Sequence, residues 1–97
     1  MNMQAMMAQA RKLQKEIEKT TTEIDNTEYK YDNENIEVIC LGNYNVKSIK
    51  IKNESILEDK EMLEDIVLVA MNDVLKKIES DKNKKLGKYT NGLGGLF

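Results

Sequence analysis

The sequence contains no histidine, no tryptophan and no proline, and only one cysteine. Without histidine, the usual general base at neutral pH and the commonest nitrogen ligand for metals are both missing. No glycine-rich phosphate loop, Walker lysine or HExxH pattern compensates for that absence. The expectation is therefore a protein that is not an enzyme, with no cofactor, no metal and no small-molecule substrate. Cys40 has no partner for an internal disulfide, reads as a small buried hydrophobe, and suits a reducing compartment. Long apolar runs are also missing. The longest, residues 66–71, falls far below the ~20 residues needed to span a bilayer. Neither does a basic stretch followed by an apolar one open the sequence. These absences point to a cytoplasmic protein without a membrane partner.

What remains is enough for one domain, and a chain of 97 residues buries only a modest core by itself. Apolar or small residues fall at Met3, Met6, Ala10, Leu13, Ile17, Thr20 and Ile24. Their alternating three-four spacing predicts a helix with a seam along one side. About 23 helical residues reach ~35 Å, so this helix projects as an arm or pairs along its length. Thr20, Thr21 and Thr22 weaken its last turns through their restricted side chains. The period then changes to two. Tyr29 and Tyr31 alternate with charged residues, Asp32–Asn35 makes a turn, and Ile36–Leu41 is a second strand with apolar residues on both faces. Gly42–Asn45 turns again, and Val46–Lys52 forms a third strand with Ile49 and Ile51 on one side. An antiparallel three-stranded meander is expected.

The last third returns to helix. Ser55 with Glu58 offers a capping box for a short turn, and Asp59 is the N-cap expected for the main helix. Residues 62–71 surround the axis of that helix with apolar groups, and a helix apolar all round demands burial all round. One sheet and one neighbouring helix cannot supply that cover. A homodimer is the expected solution, with Ile39, Leu41, Ile66, Val67, Leu68, Val69 and Met71 at its interface; a monomer with helices on both sheet faces is the alternative. The expected α+β fold comprises a single helix–meander–helix domain over residues 1–88. A flexible glycine-rich tail is expected over 89–97.

Several stretches carry a resemblance. Leu57-Glu58-Asp59-Lys60-Glu61-Met62-Leu63-Glu64-Asp65-Ile66-Val67, continuing through Ala70, Asn72, Asp73 and Ile78-Glu79, resembles the second long helix of the YbaB/EbfC family of bacterial nucleoid-associated proteins. Val46–Ile51 is similar to that family's third strand, and Gly42 to its strand-turn glycine. Met6-Met7, Gln9-Ala10 and Lys12-Leu13-Gln14 are similar to its first helix, and Gly92–Phe97 to its ending. Asp32–Asn35 departs from the glycines the family usually carries between its first two strands. The resemblance implies a tight homodimer shaped like tweezers that binds duplex DNA with modest sequence preference, without catalytic residues or cofactor.

The charge pattern is compatible with a nucleoid-associated location although the formal net charge is −2. Residues 11–19 carry +2, residues 76–88 carry +4, and residues 54–73 carry −6. Lys12, Lys15 and Lys19, with Arg11 at the edge of their row, lie opposite the apolar seam of the first helix, where phosphates would reach them. Lys76, Lys77, Lys82, Lys84, Lys85 and Lys88 complete the candidate DNA-binding set; a plain solvated surface is the competing reading for both groups. Every cation but Arg11 is a lysine, so contact through phosphates with little base reading is expected. No aromatic residue interleaves the basic row, which disfavours stacking on single strands. Tyr29, Tyr31 and Tyr44 read as packing residues, and the methionines as seam filler or a sticky partner surface. A protein–protein adaptor or holdase-like module using its helical arms is the rival function.

Overall fold

The structure is a computed structural model that describes residues 2–92, with side chains through residue 89. Its elements are α1 (Met3–Asp25), β1 (Glu28–Asp32), β2 (Ile36–Leu41), β3 (Val46–Ile51), a 3-10 turn (Glu54–Glu58) and α2 (Lys60–Gly92). The three strands form one antiparallel sheet in the order β1-β2-β3, so the α+β helix–meander–helix architecture is the one expected.

Local chemistry sets the boundaries. The Asn2 side chain accepts a hydrogen bond from the Ala5 amide at 2.7 Å and opens α1. At its other end the Asn26 amide and side chain both donate to Thr22 O, and the Thr27 hydroxyl donates to Glu23 O. Those bonds satisfy carbonyls the helix leaves free, and the threonine run stays helical. Asn33 builds the first hairpin turn, its Oδ1 accepting from the amides of Asn35 and Ile36 at 2.9 and 3.0 Å. Asp59 caps α2 as expected, accepting from the Met62 amide at 3.0 Å. The short turn before it is capped by Asn53 rather than by a Ser55–Glu58 box: Asn53 Oδ1 accepts from the Ser55 amide and from its hydroxyl.

The core lies between one sheet face and one side of α2. Ile36, Val38 and Cys40 of β2 pack with Ala70, Val74 and Ile78, and all six are fully buried. Tyr29, Tyr31, Ile51, Ile66, Val67, Met71 and Leu75 form its margin. The opposite sheet face is charged. Lys30–Glu37, Lys47–Glu28 and Lys52–Asp32 pair across its strands, so Ile39 and Leu41 stay only half-buried there. A register shift between Ile39 and Cys40 pairs Ile39 with Ser48 and Cys40 with Val46. That bulge keeps Val46 on the face of Ile49 and Ile51.

Helix α2 reaches Gly92, beyond the boundary expected at Lys88; residues 93–97 of the expected tail lie outside the described residues. It leaves the sheet and runs antiparallel beside α1, where the hydroxyls of Thr20 and Tyr89 approach to 3.3 Å. Gly42 seats the base of α1. A Cβ there would fall 1.9 Å from Ile24 O, so only glycine permits the approach, and its amide donates to Thr27 O at 3.1 Å. The molecule measures 69 × 21 × 15 Å, with the helical arm accounting for its length.

Candidate nucleic-acid interface

The three-four spacing that turns the α1 seam towards α2 sends its cations the other way. Arg11, Lys12, Lys15 and Lys19 are all exposed. None of them has an ion-pair partner among the described residues. On α2, Lys84 and Lys88 share one helix face with Lys77, four and seven residues apart. Because α1 and α2 run side by side at Thr20 and Tyr89, the cations of residues 11–19 and 82–88 belong to the same arm.

The ten candidate cations are not equally free. Lys77 lies 2.9 Å from Asp73, donates to the Lys30 carbonyl at 2.9 Å and sits over the Tyr31 ring. Lys82 is half-buried with its ammonium 4.4 Å from the centre of the Tyr44 ring. Lys85 pairs with Asp81 at 3.0 Å, and Lys88 lies over Tyr89 at 5.1 Å. Lys76 and Lys84 are exposed without an ion-pair partner among the described residues. The contacts of Lys77 with Lys30 O and Tyr31, and of Lys82 with Tyr44, join residues far apart in sequence, so no local pattern reveals them; Asp73, Asp81 and Tyr89 are neighbours along the same helix.

Asp81 anchors the base of the arm. Its Oδ2 accepts from the Tyr29 hydroxyl at 2.5 Å and also faces Lys85, and these two partners hold its carboxyl below the usual range. Burial first, and then this carboxylate, push the Tyr29 phenol up to about 12. Burial likewise raises the Cys40 thiol, which keeps it protonated and unreactive at neutral pH.

The other end of the molecule is acidic. A cleft of about 450 Å³ between β1 and α2 is lined by Tyr31, Asn33, Met62, Ile66 and Val69 and edged by Asp59, Glu61 and Asp65. Three carboxylates at its edge repel a polyanion, so the arm rather than this cleft suits phosphate. Of the expected interface residues, Ile66, Val67 and Met71 lie against the chain's own core, whereas Leu68 and Val69 are 59% and 57% exposed. Among the described residues no cluster of histidine, cysteine or carboxylate side chains is arranged to hold a metal. No described helix is long and apolar enough to cross a membrane.

Comparison with known proteins gives this arrangement a family. The family model of the YbaB/EbfC DNA-binding family matches residues 1–93. A nucleoid-associated protein of Lactococcus lactis subsp. lactis is 45% identical over 96 residues, covering 96% of this chain and 97% of that protein. Nucleoid-associated proteins of Enterococcus faecalis and Clostridium kluyveri are 38% and 42% identical. Those alignments cover 98% and 99% of this chain, and 94% and 89% of the relatives. The helix–meander–helix chain, with its lysine-bearing arm, belongs to the YbaB/EbfC DNA-binding family.

Proposed function

We propose that this protein works in the cytoplasm at the bacterial nucleoid as a homodimer that binds duplex DNA through phosphate contacts with little sequence preference. The observation that carries the reading is the row Arg11, Lys12, Lys15 and Lys19, exposed and without ion-pair partners among the described residues, on a helix that projects from the body. Lysine ammonium groups act as point charges towards phosphate and lack the fork that reads guanine edges, which accounts for the weak sequence preference. Lys76, Lys77, Lys82, Lys84, Lys85 and Lys88 extend the surface along α2, with Lys76 and Lys84 the freest to engage. No step of this function needs catalysis or a cofactor.

The exposed Leu68 and Val69 of α2, and Ile49 and Val46 half-exposed on β3, support self-association, because apolar side chains left in water leave it when a second copy covers them. Ile66, Val67 and Met71 back this surface from inside the protomer. Ile39 and Leu41 would enlarge the interface only if the charged sheet face also joins it.

The test is a titration of fluorescent duplex DNA at several salt concentrations, with Lys12, Lys15 and Lys19 changed together to Glu in parallel. Six phosphate contacts from a dimer would contribute about −5 to the logarithmic salt slope, and the triple change should abolish them. Binding indifferent to both salt and the substitutions refutes the phosphate reading. Sedimentation should show a dimer; a stable monomer at micromolar concentration refutes self-association. A protein adaptor or holdase-like role has one observation in its favour, the exposure of Met3, Met6 and Met7 at the arm's tip. Undiminished suppression of client aggregation by a variant that no longer binds DNA would favour that role.

A further inference from the structure

The turn between β2 and β3 holds the only non-glycine residue with a positive φ among the described residues, Tyr44 at 69°. A left-handed backbone is costly for a bulky residue, and the flanking Asn43 and Asn45 are of the type that adopts it more easily. Three hydrogen bonds nevertheless pin Tyr44 there. Its amide donates to Leu41 O at 2.9 Å, the Leu41 amide donates to Asn45 O at 2.8 Å, and Asn43 Oδ1 accepts from the Asn45 amide at 3.0 Å. Burial does not offset the strain, because Tyr44 is 49% exposed. Its ring holds the Lys82 ammonium at 4.4 Å, a contact too weak at an exposed site to offset it either. A strained residue that the fold does not need points to function.

The hydroxyl supplies a second, independent observation. Of the four tyrosines, Tyr29 donates to Asp81, Tyr31 accepts from Asn33 and Tyr89 approaches Thr20. The Tyr44 hydroxyl alone has no hydrogen-bond partner among the described residues. Its place in the fold matters too. Gly42, two residues earlier, seats the base of α1 at Ile24, and Lys82 stands on α2 three residues before Lys85. Tyr44 therefore sits at the root of the lysine-bearing arm, with a free donor beside a held cation.

We propose that Tyr44 is a DNA-contact residue whose phenol donates to a backbone phosphate that the Lys82 ammonium also faces. The inference rests on the phosphate-binding reading given above and adds to it a neutral contact outside the lysine rows. Such donors fix the register of a protein on the duplex without reading bases. The pinned turn holds the residue in place before DNA arrives, so little order is lost on binding.

Wild type, Tyr44→Phe and Lys82→Gln are titrated with the fluorescent duplex at several salt concentrations, and each is unfolded in urea. Tyr44→Phe keeps the ring and the turn and loses only a hydroxyl that the fold does not use, so its urea midpoint should match wild type. Its DNA affinity should fall about tenfold at every salt concentration with the salt slope unchanged, because a neutral donor releases no counterion. Lys82→Gln should instead lower the slope. Equal affinity of Tyr44→Phe and wild type overturns the proposal, and leaves the functional reading standing where the joint change of Lys12, Lys15 and Lys19 still abolishes binding. A loss of affinity matched by a loss of stability, or one carried by the salt slope, overturns it as well. An unchanged slope in Lys82→Gln removes the shared phosphate and does the same. A wild type that binds no duplex refutes the functional reading and this contact together.

Discussion

Substituting Gly42 by alanine tests how the arm is joined to the sheet. The added Cβ would lie 1.9 Å from Ile24 O, 2.6 Å from the Ile24 carbonyl carbon and 2.9 Å from its Cγ2. Restoring an ordinary separation of 3.4 Å from the oxygen requires a 1.5 Å displacement, and two of the three obstacles are not side-chain atoms that could rotate away. Both backbones are tethered. The Gly42 amide donates to Thr27 O at 3.1 Å, and Ile24 O already accepts from the Thr27 amide at 3.0 Å. Overpacking of this kind costs typically 1–3 kcal/mol, and a clash with tethered backbone belongs at the upper end, about 3 kcal/mol. For a domain of this size that corresponds to a fall in Tm of about 12–24 °C. Urea unfolding followed by far-ultraviolet circular dichroism, at one fixed protein concentration so that self-association does not confuse the comparison, measures it. DNA affinity should fall with stability, since α1 leaves its seat. A loss below ~0.5 kcal/mol would mean that the α1–sheet junction yields freely, and the account of Gly42 as its pivot would be wrong.

Three further outcomes follow from named residues. Tyr29→Phe removes a hydrogen bond to a carboxylate that keeps Lys85 as its second partner, so a loss of about 1.5 kcal/mol at pH 7 is expected from urea titration. Because the Asp81 carboxyl is held below its ordinary value, its contribution is present above the unfolded carboxyl pKa and vanishes as pH falls through the folded one. The raised Tyr29 phenol acts in the other sense, stabilising below the unfolded value near 10 and ceasing to as pH rises through about 12. The gap between wild type and Tyr29→Phe should therefore narrow at both extremes; a gap constant from pH 3 to 11 contradicts the pairing. Finally, Lys84→Gln should reduce the DNA salt slope by about 1 for each phosphate it no longer neutralises, whereas Lys77→Gln, whose ammonium is already held by Asp73 and Lys30 O, should affect it less. Equal effects from the two lysines would show that these intrachain attachments do not restrain Lys77.

The elements were legible because each has a local cause. The seam from Met3 to Ile24, the alternation at Tyr29 and Tyr31, the asparagine turns and the Asp59 cap all act within a few residues. What escaped depends on residues far apart. Nothing in the polar stretch from Ser80 to Lys88 signals that α2 runs on through Gly87 to Gly92; it lies against α1, and Leu86 and Tyr89 are half-buried there. The all-round apolar stretch at 62–71 demanded more cover than one protomer gives, and Leu68 and Val69 remain outside. The candidate cations were likewise readable only as a set. Tyr44 over Lys82, Asp81 beside Lys85 and Lys30 O beneath Lys77 distinguish them, and only the tertiary fold creates the first and last of these contacts.

The separation of the acidic cleft from the basic arm gives a molecule 69 Å long a built-in polarity. At physiological ionic strength, electrostatic influence decays over about 8 Å, so a phosphate near the arm is screened from the carboxylates at the far end. The net charge of −2 is then a poor guide to the proposed encounter with DNA, in which a duplex approaches one end of the protein at a time. An approach with the acidic end leading is rebuffed, and an approach with the arm leading is drawn in. In the proposed mode of binding the carboxylates act as a rudder, turning the arm rather than the acidic cleft towards the phosphates.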